Sequence, residues 1–470
     1  MSALPPARLT YSEAVVFLDS LINHERAPAG AAAVRQWNLD RVRAVLAAFG
    51  NPHQGIRCLH IAGTKGKGST AAMAASILTA AGFRTGLYTS PHLLSPRERI
   101  RINGQPIAEA ALAALISDLK PHLEALRGGP TGDPSFFEAY TLAALLHFAR
   151  SRVDFAVVET GLGGRLDATN ILRPLVCAIT RIGRDHMAEL GETLLEIARE
   201  KAGIIKPGAI VVSAPQTPDV ASVIEAACRQ QGARLRRTDQ SVTRDPTFAW
   251  TQIGEMGAEG QSFSLGGTRG RYVDLWCPLV GTHQLTNAMT ALWMVESLHE
   301  FGVDIGPEAV QKGLAEVCWP GRFQVIRKEP PFDKLRVTPS SVEEPWIVLD
   351  GAHDGVSANA LADTVQQVLS GRPLHLVLGM ARDKEAVEIG RHLCGLAREV
   401  IFTRSRSPRA REPEELSQAL ATFCAASRVV PSVGEALAAA VQSARPGDVI
   451  VATGSLYVVG EALEFLKLSV

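Results

Sequence analysis

A glycine-rich run behind a short apolar stretch constrains the fold of this chain more than any other feature. Residues 63–70 have the sequence GTKGKGST; they follow the apolar run Cys58–Ala62 and precede the helix-like stretch Ala71–Ala81. A strand, a glycine-rich turn and a helix start form a phosphate cradle, because backbone N–H groups and the helix dipole converge on an anion. The order therefore predicts a phosphate loop within a parallel α/β sheet.

Each residue type in this run has an expected task. Gly63, Gly66 and Gly68 let the backbone approach phosphate, Lys67 would reach the β- and γ-phosphates, and the Ser69 hydroxyl lies where a Mg²⁺ ligand is expected. The match to G-x-x-x-x-G-K-[ST] is imperfect, since Gly68 separates Lys67 from Ser69. The alternative, a glycine-rich turn without a ligand, is disfavoured by the strand–loop–helix order.

Length and charge narrow the class of protein. A chain of 470 residues exceeds one ordinary core, so two domains are expected. The 48 basic and 48 acidic residues give a formal net charge of zero. The overall charge therefore gives no reason to expect binding to nucleic acid or to an anionic membrane. There is no bilayer-spanning apolar run and no signal-peptide pattern. Seven dispersed cysteines predict reduced, mostly buried thiols in a cytoplasmic protein.

Strand-like and helix-like segments alternate along the chain. Helical spacing of apolar residues predicts helix within residues 11–50. The expected strands are 85–88, 153–159, 175–180 and 209–214, and the expected helices are 108–126, 136–151, 193–202, 283–301 and 307–317. Apolar strands between helices indicate a parallel sheet covered on both faces. Residues 247–277 favour antiparallel strands instead.

A second α/β series follows residues 327–345, whose four prolines and several charges indicate a linker or exposed insertion. Strands are expected at residues 346–349, 374–378, 399–403 and 449–452. Without G-x-G-x-x-G after its first strand, dinucleotide binding is not supported. We predict a P-loop parallel-sheet ATPase domain, residues 1–325, followed by a smaller Rossmann-like α/β domain, residues 326–470.

Polar residues follow three of the predicted strands, where open parallel sheets bind ligands. Ser90, Glu159 and His186 occupy such positions, and oxygen-rich side chains beside a triphosphate suit Mg²⁺. Glu159 is the strongest candidate, because a carboxylate that ends an apolar strand is costly unless it is paired or metal-bound. A structural ion pair, for instance with Arg165, remains the alternative for Glu159, and a hydrogen-bonded structural histidine for His186.

Lys201 lies near the end of the predicted helix 193–202. Positive charge is favourable there, and Ala198 and Ile197, three and four residues back, offer no helical ion pair. From these residues alone, a solvated lysine is the favoured interpretation.

The glycine-rich run resembles the ATP loop of the Mur ligase superfamily. Six further strings, in order, resemble folylpolyglutamate synthase and the bifunctional dihydrofolate synthase. They are Tyr88–Leu93, Glu159–Asn170, Asp185-His186 with Glu200–Ile204, Gly281–Gln284 with Asn287, Pro320–Arg322, and Asp350–His353. The likeness extends from about residue 35 to the C-terminus, and the ordered set is specific although each string alone is weak.

The resemblance implies a role for individual residues. The residues expected to bind phosphate are Gly63, Thr64, Gly66, Lys67, Gly68 and Ser69. Further contacts with the nucleotide are expected from Asn287, Arg322 and Asp350. Two Mg²⁺ ions would be held or positioned by Ser69, Ser90, Glu159, His186 and Lys201. Lys201 would be carbamylated by CO₂, which reverses the interpretation above. Pterin contacts would come from Leu166, Asp167 and Ala168. Phe136–Glu138 match a family segment too, and for them we expect a packed helix start.

Three residues differ from those that are usual at the same positions in this family. Asp354 stands where Asn is usual, near the expected glutamate site at His353, so its charge would alter the affinity for anionic glutamate or select the ammonium group. Lys65 stands for the more usual Asn and is an accepted variant in the superfamily, and Arg184 replaces an apolar residue.

The resemblance also implies a reaction. A carboxylate is a poor electrophile, so ATP would convert a folate acid into an acyl phosphate that the amine of L-glutamate attacks. Phosphoryl transfer depends on positioning and charge neutralisation, here by Lys67, Mg²⁺ and backbone donors rather than by a nucleophilic residue. His353 or Asp354 is expected to assist deprotonation of the amine.

Two alternatives stay open at this point. One is another Mur-superfamily ligase, such as one acting on a peptidoglycan precursor, which the string at Glu159–Asn170 disfavours. The other is an ATP-binding module without catalysis. We prefer a dual activity on dihydropteroate and reduced folates, and we expect a monomer with small-molecule partners only.

Overall fold

The computed structural model describes residues 8–25, 38–238, 252–327 and 345–468. Two α/β sheets and one three-stranded antiparallel sheet form its framework, and the predicted fold class is confirmed. The predicted linker 327–345 lies outside the described residues apart from its two end positions, as does the 26–37 portion of the N-terminal helical stretch.

The first sheet has eight strands, with β1 near its centre. They are β1 (Cys58–Ala62), β2 (Thr85–Tyr88), β3 (Ile100–Ile102), β4 (Gln105–Pro106), β5 (Phe155–Glu159), β6 (Val176–Ile179), β7 (Ile210–Ser213) and β8 (Arg234–Arg237). Their order is β4-β3-β2-β5-β1-β6-β7-β8, and only β3, which pairs with β2 and β4, runs antiparallel to its neighbours. Because β1 lies between β5 and β6, the loops after these three strands meet at one edge.

Helices cover both faces of this sheet. They are α1 (Tyr11–Asp19), α2 (Asp40–Ala48), α3 (Lys67–Ala80), α4 (Glu109–Leu126), α5 (Phe136–Arg150), α6 (Met187–Leu190), α7 (Leu194–Ala202), α8 (Pro218–Gln231), α9 (Thr282–Ser297) and α10 (Pro307–Ala315). Helix α3 is alanine-rich, which favours helix formation, and it is buried on nearly every side between the sheet, α9 and α10. Its small side chains let those neighbours approach closely, which fixes the position of the loop before it.

The start of α5 is a packed helix terminus, as expected for Phe136–Glu138. Ser135 and Glu138 form a reciprocal capping box, and Glu138 makes a buried ion pair with Arg41 at 2.8 Å. The carboxylate is therefore fully engaged in holding α2 against α5.

An antiparallel meander and a second α/β sheet complete the chain. The meander consists of β9 (Gln252–Gly257), β10 (Gly260–Gly266) and β11 (Arg271–Cys277), which confirms the antiparallel prediction for the described part of 247–277. The second sheet has the order β12-β13-β17-β14-β15-β16. Its strands are β12 (Gln324–Ile326), β13 (Trp346–Leu349), β14 (Leu374–Leu378), β15 (Glu399–Phe402), β16 (Ser427–Val429) and β17 (Val449–Thr453).

Only β12 is antiparallel to its neighbour in the second sheet, and all four predicted strands are present. The helices that pack on it are α11 (Gly355–Val368), α12 (Ala386–Leu393), α13 (Pro413–Leu420), α14 (Val433–Ser443) and α15 (Leu456–Phe465). Buried apolar strands between helices account for both sheets.

Two further sequence expectations concern thiols and membranes. All seven cysteines lie within the described ranges and are free, and five of them are buried, whereas Cys318 is exposed and Cys424 half-buried. In the described part of the chain, no helix combines the length and apolarity needed to cross a bilayer.

Candidate active site

The phosphate loop leaves β1 and enters α3 through a backbone that requires glycine. Gly66 is the residue before α3 and has a φ of 88°, a left-handed conformation that favours glycine. A Cβ atom there would lie 2.2 Å from Oδ1 of Asn287, so no side chain fits between the loop and α9. Asn287, a predicted nucleotide residue, thus lies directly against the predicted phosphate cradle.

The other side of the loop is tied to the segment after β6. The backbone N–H groups of Thr64 and Lys65 both donate to the carbonyl oxygen of Arg181. The Thr64 hydroxyl donates to the carbonyl of Gly183 at 3.1 Å and accepts from the Gly183 N–H at 3.0 Å. Thr64 therefore orients the loop through protein contacts.

Glu159 ends β5 as a buried carboxylate beside the loop. One of its oxygens lies 3.9 Å from Nζ of Lys67, and the other accepts from the Ser90 N–H at 3.3 Å. Burial raises the pKa of Glu159 above its ordinary value, and the Lys67 ammonium opposes that rise. Arg165 instead pairs with Glu200 at 2.9 Å, so the alternative of an Arg165–Glu159 ion pair is wrong.

Lys201 is buried near the phosphate loop, so the interpretation of a solvated lysine is wrong. Its side chain leaves α7 toward the sheet, and Nζ donates to the carbonyl oxygen of Gly63 at 2.8 Å. Burial, and to a lesser extent the nearby Lys67 ammonium, lowers the pKa of Lys201 to about 7. A position near the C-terminus of a helix favours a solvent-exposed lysine. Residue spacing alone, however, does not reveal which face of α7 is covered by the rest of the protein.

His186 lies just before α6 in a left-handed conformation, with a φ of 52°, and its side chain is about half exposed. Partial desolvation of the imidazole lowers the pKa of His186, while the Asp185 carboxylate opposes that shift. The Lys67 charge lowers the pKa of Glu159, of Lys201 and of His186, so these three predicted metal-site residues lie within electrostatic range of its ammonium group.

Arg322 and Asp350 lie near each other at one edge of the second sheet, before β12 and after β13. Asp350 follows β13 and accepts hydrogen bonds at 2.8 Å from the N–H groups of Phe323 and Ala352. Burial raises the pKa of Asp350, and the Arg322 guanidinium opposes that rise. The charge of Arg322 also acts on Glu159, so the guanidinium lies within electrostatic range of the carboxylate that ends β5.

Five charged or titratable side chains meet where the carboxyl ends of both sheets face each other; we call them the interface cluster. They are Lys65, Asp185, His353, Asp354 and Lys384. Nζ of Lys65 pairs with Asp354, lies 3.3 Å from Asp185, and lies 3.0 Å from Nε2 of His353. Nζ of Lys384 lies 2.8 Å from Asp185. The cluster therefore connects the phosphate loop to the start of α11.

The two predicted catalytic residues of this cluster are weak bases. Burial lowers the pKa of His353 to about 4, and its Nδ1 lies 2.8 Å from the carbonyl of Gly351. Burial alone would raise the pKa of Asp354, but the Lys65 ammonium, together with His353 and the Ser357 hydroxyl, lowers the pKa to about 2. Asp185, His353 and Asp354 also offer ligand atoms within 4.8 Å of one another, but lysine ammonium groups already neutralise both carboxylates.

The loop after β5 contains the predicted pterin residues. Asp167 is buried and accepts hydrogen bonds at 2.9 Å from the N–H groups of Gly161 and Leu162, and one at 3.0 Å from Thr169. Its carboxylate therefore shapes the loop from within. Leu166 is half-buried and Ala168 is buried.

Sequence reasoning did not single out Lys384. The available signal was its place after the predicted strand 374–378, at the same sheet edge as the other polar residues. It was missed because a lysine in a loop is ordinarily solvated, and only the fold brings it to Asp185.

Fold and site together define a class of protein. The Mur ligase middle domain family matches residues 61–295, and the Mur ligase glutamate ligase domain family matches residues 321–456. The chain is thus an ATP-dependent ligase of the Mur type.

Known proteins identify the branch of that class. The dihydrofolate synthase/folylpolyglutamate synthase of Bacillus subtilis is 35% identical over 431 residues, covering 91% of this chain and 95% of that relative. The folylpolyglutamate synthase of Lacticaseibacillus casei is 34% identical over 421 residues, covering 89% and 91%. The folylpolyglutamate synthase of Mycobacterium tuberculosis complexed with ADP and AMPPCP superimposes with a TM-score of 0.82 at 34% identity, covering 92% and 96%. This chain belongs to the folylpolyglutamate synthase/dihydrofolate synthase family.

Proposed function

We propose that this ligase joins L-glutamate to a folate through an acyl phosphate formed from ATP. One juxtaposition supports the proposal: Glu159 and Lys201 lie beside the phosphate loop that carries Lys67, and the Lys65–Asp354 ion pair and the charge of Arg322 bring the second sheet close to that loop. Family membership supports it over the alternatives of a peptidoglycan-precursor ligase or a non-catalytic module.

The nucleotide is proposed to bind along the phosphate loop. Gly66, Gly68 and Ser69 at the start of α3 present backbone N–H groups that lack helical partners, and Lys67 adds a positive charge. Thr64 and Gly63 shape the loop through their contacts with Gly183 and Lys201. Asn287, Arg322 and Asp350 would contact the nucleotide from the facing side.

The side chains near Lys67 suit Mg²⁺, by the chemistry of their donors. Glu159 supplies a buried carboxylate whose nearest cation is only at 3.9 Å, Ser69 and Ser90 supply hydroxyls, and His186 supplies an imidazole. Bound Mg²⁺ would neutralise charge on the transferred phosphoryl group. We propose these residues, with Lys201, as the holders of two ions.

Lys201 suits carbamylation. An amine with a pKa of about 7 is largely unprotonated at slightly alkaline pH, so its nitrogen can form a bond to CO₂ with loss of a proton. The product would turn a cation beside Lys67 into an oxygen donor, which explains why a lysine is buried next to another lysine.

The incoming glutamate is proposed to meet the interface cluster. With pKa values of about 4 and 2, His353 and Asp354 are poor acceptors for the ammonium proton at neutral pH. We therefore propose that they orient the amine toward the acyl carbon. The pterin is proposed to lie along Leu166, Asp167 and Ala168, with Asp167 acting through the shape of its loop.

The decisive experiment supplies dihydropteroate and tetrahydrofolate separately, each with L-glutamate and MgATP. ADP release that requires both the pterin and glutamate, with a product heavier by one glutamyl unit in mass spectrometry, is the expected result for both. Product from one pterin alone would reduce the proposed dual activity to a single one. Folate-independent ADP release, or none with either pterin, would contradict the proposal.

Three further parts of the proposal concern the domain boundary, the oligomeric state and the location. We propose a division into domains at residues 1–325 and 326–470, although β12 already pairs with the second sheet from Gln324. We also propose a monomer, which light scattering of the purified chain checks. A cytoplasmic location is proposed from the free thiols, and cell fractionation tests it.

A further inference from the structure

Trp319 lies against the first turn of the helix that follows the phosphate loop. A Cβ atom on Gly68 would lie 3.0 Å from Cζ2 and 3.3 Å from Nε1 of this indole, so the nitrogen-bearing edge of the ring faces Gly68. The ring is half-buried and packs on the core of the first sheet. Trp319 precedes Arg322 by three residues, in the segment between α10 and β12.

The indole nitrogen of Trp319 is buried and has no hydrogen-bond partner among the described residues. Indole Nε1–H is only a donor, and a buried donor without an acceptor is costly and rare in native proteins. Trp293 provides the contrast within the same core, because its Nε1 donates to the carbonyl oxygen of Gly266 at 2.9 Å. Packing alone therefore explains the ring of Trp319 but not its unpartnered N–H.

The chemistry around this N–H indicates what would accept it. The first turn of α3 presents backbone N–H groups without helical partners, and the Lys67 side chain is a cation, so the turn is rich in donors. A ligand bound there must bring acceptors, and phosphate oxygens are acceptors in abundance. Because Gly68 has no side chain, the edge of the indole ring can lie directly beside that turn.

We propose that Trp319 is a nucleotide-binding residue whose Nε1–H donates to a phosphate oxygen of ATP while its ring covers the first turn of α3. The proposal rests on the proposed function and adds a residue from the connection between the two sheets. It also explains a second requirement for Gly68, since any side chain there would displace the indole.

The test compares Trp319→Phe with Trp293→Phe, using titration calorimetry with ADP and with AMPPCP in the absence of folate and glutamate. Trp319→Phe keeps an aromatic ring and removes the N–H, so we expect about tenfold weaker binding of one or both nucleotides. Trp293→Phe removes a hydrogen bond that lies within the protein, so it lowers the unfolding temperature and leaves nucleotide affinity unchanged. In turnover, Trp319→Phe raises KM for ATP and leaves kcat within about twofold.

A purely structural role predicts the opposite pattern. Equal nucleotide affinity in Trp319→Phe and wild type would overturn the proposal, whereas failure of the wild-type chain to bind any nucleotide would overturn the proposed function instead. A measurement on the unsubstituted protein covers the case in which Trp319→Phe does not fold. Saturation with ADP and then AMPPCP should move one of the six indole N–H signals in a nitrogen-labelled NMR spectrum, and no movement would refute the contact.

Discussion

The surroundings of Lys67 and the interface cluster differ in how their charges are balanced. Around Lys67, burial raises the pKa of Glu159 and lowers that of Lys201, so both groups are shifted toward their neutral forms. In the interface cluster, the lysines hold the pKa values of Asp185 and Asp354 below their usual range, so both carboxylates stay ionised. Among the described residues, the surroundings of Lys67 contain no close ion pair, since Lys67 and Glu159 are 3.9 Å apart, whereas the carboxylates of the interface cluster are paired with lysines.

This difference separates two ways of preparing a site for ligands. Groups that are desolvated without close partners gain most when a ligand brings charge to them, because burial strengthens each new interaction. Groups already paired can bind a charged ligand only by exchanging one partner for another. We therefore expect substitutions near Lys67 to act mainly on turnover and substitutions in the interface cluster to act through coupling between residues.

The largest effect is expected from Glu159→Gln. The amide keeps the shape of the side chain but removes the negative charge proposed to hold Mg²⁺, so kcat should fall about 100-fold or more. Binding of ADP should persist, because Lys67 and the loop remain. Steady-state kinetics and calorimetry measure the two quantities, with Glu124→Gln on the exposed face of α4 as the control. Unchanged turnover would remove Glu159 from the reaction.

The second prediction concerns the free energy of unfolding as a function of pH in CO₂-free buffer. Lys201 has a pKa of about 7 when folded and about 10.4 when unfolded, so the unfolded state binds more protons between these values. The contribution of Lys201 to stability therefore rises by about 1.4 kcal/mol per pH unit in that window and is flat below pH 7.

Urea denaturation at pH 7.5 and 9 checks this contribution. Lys201→Met should lack the rise, whereas Lys120→Met, which removes a partly exposed lysine of α4, should retain it. Parallel pH curves for wild type and Lys201→Met would show that Lys201 carries its proton in the folded state.

The surroundings of Lys67 were largely predictable from the sequence, because each residue there follows a strand that the sequence marks. β1, β5 and β6 are short apolar runs, so the positions of Gly63–Ser69 and Glu159 relative to one sheet edge follow from parallel pairing. The family resemblance supplied what pairing could not, an expected role for Lys201.

The interface cluster was not predictable in the same way. Lys65 and Asp354 are 289 positions apart in the chain, and no local pattern indicates that two sheets place them in contact. Both depart from the family pattern that we inferred, and the structure shows that the two departures form one ion pair. The burial of Lys201 could not be predicted from the sequence either, because tertiary packing decides which face of a helix is covered.

That ion pair allows a test by a double-mutant cycle with Lys65→Asn, Asp354→Asn and the double variant. Each single change leaves one charge of the cluster without its partner, so the two effects should not add. We expect a coupling energy of about 1 kcal/mol in the free energy of unfolding, and a KM for glutamate that is closer to wild type in the double variant than in either single one. The half-exposed pair Arg150–Asp118 is the control and should show weaker coupling. Additive effects at Lys65 and Asp354 would mean that the cluster is not self-compensating.

The smallest effect is expected from Arg165→Gln, which tests the partner of Glu159. Arg165 is more than half exposed and pairs with Glu200, so its loss should lower the free energy of unfolding by less than about 1 kcal/mol. Because Glu159 faces Lys67 instead, kcat and the KM for ATP should stay within about twofold of wild type. A drop in turnover as large as that of Glu159→Gln would mean that Arg165 reaches the Glu159 carboxylate during the reaction. The charges around Lys67 would then be paired within the protein, as they are in the interface cluster.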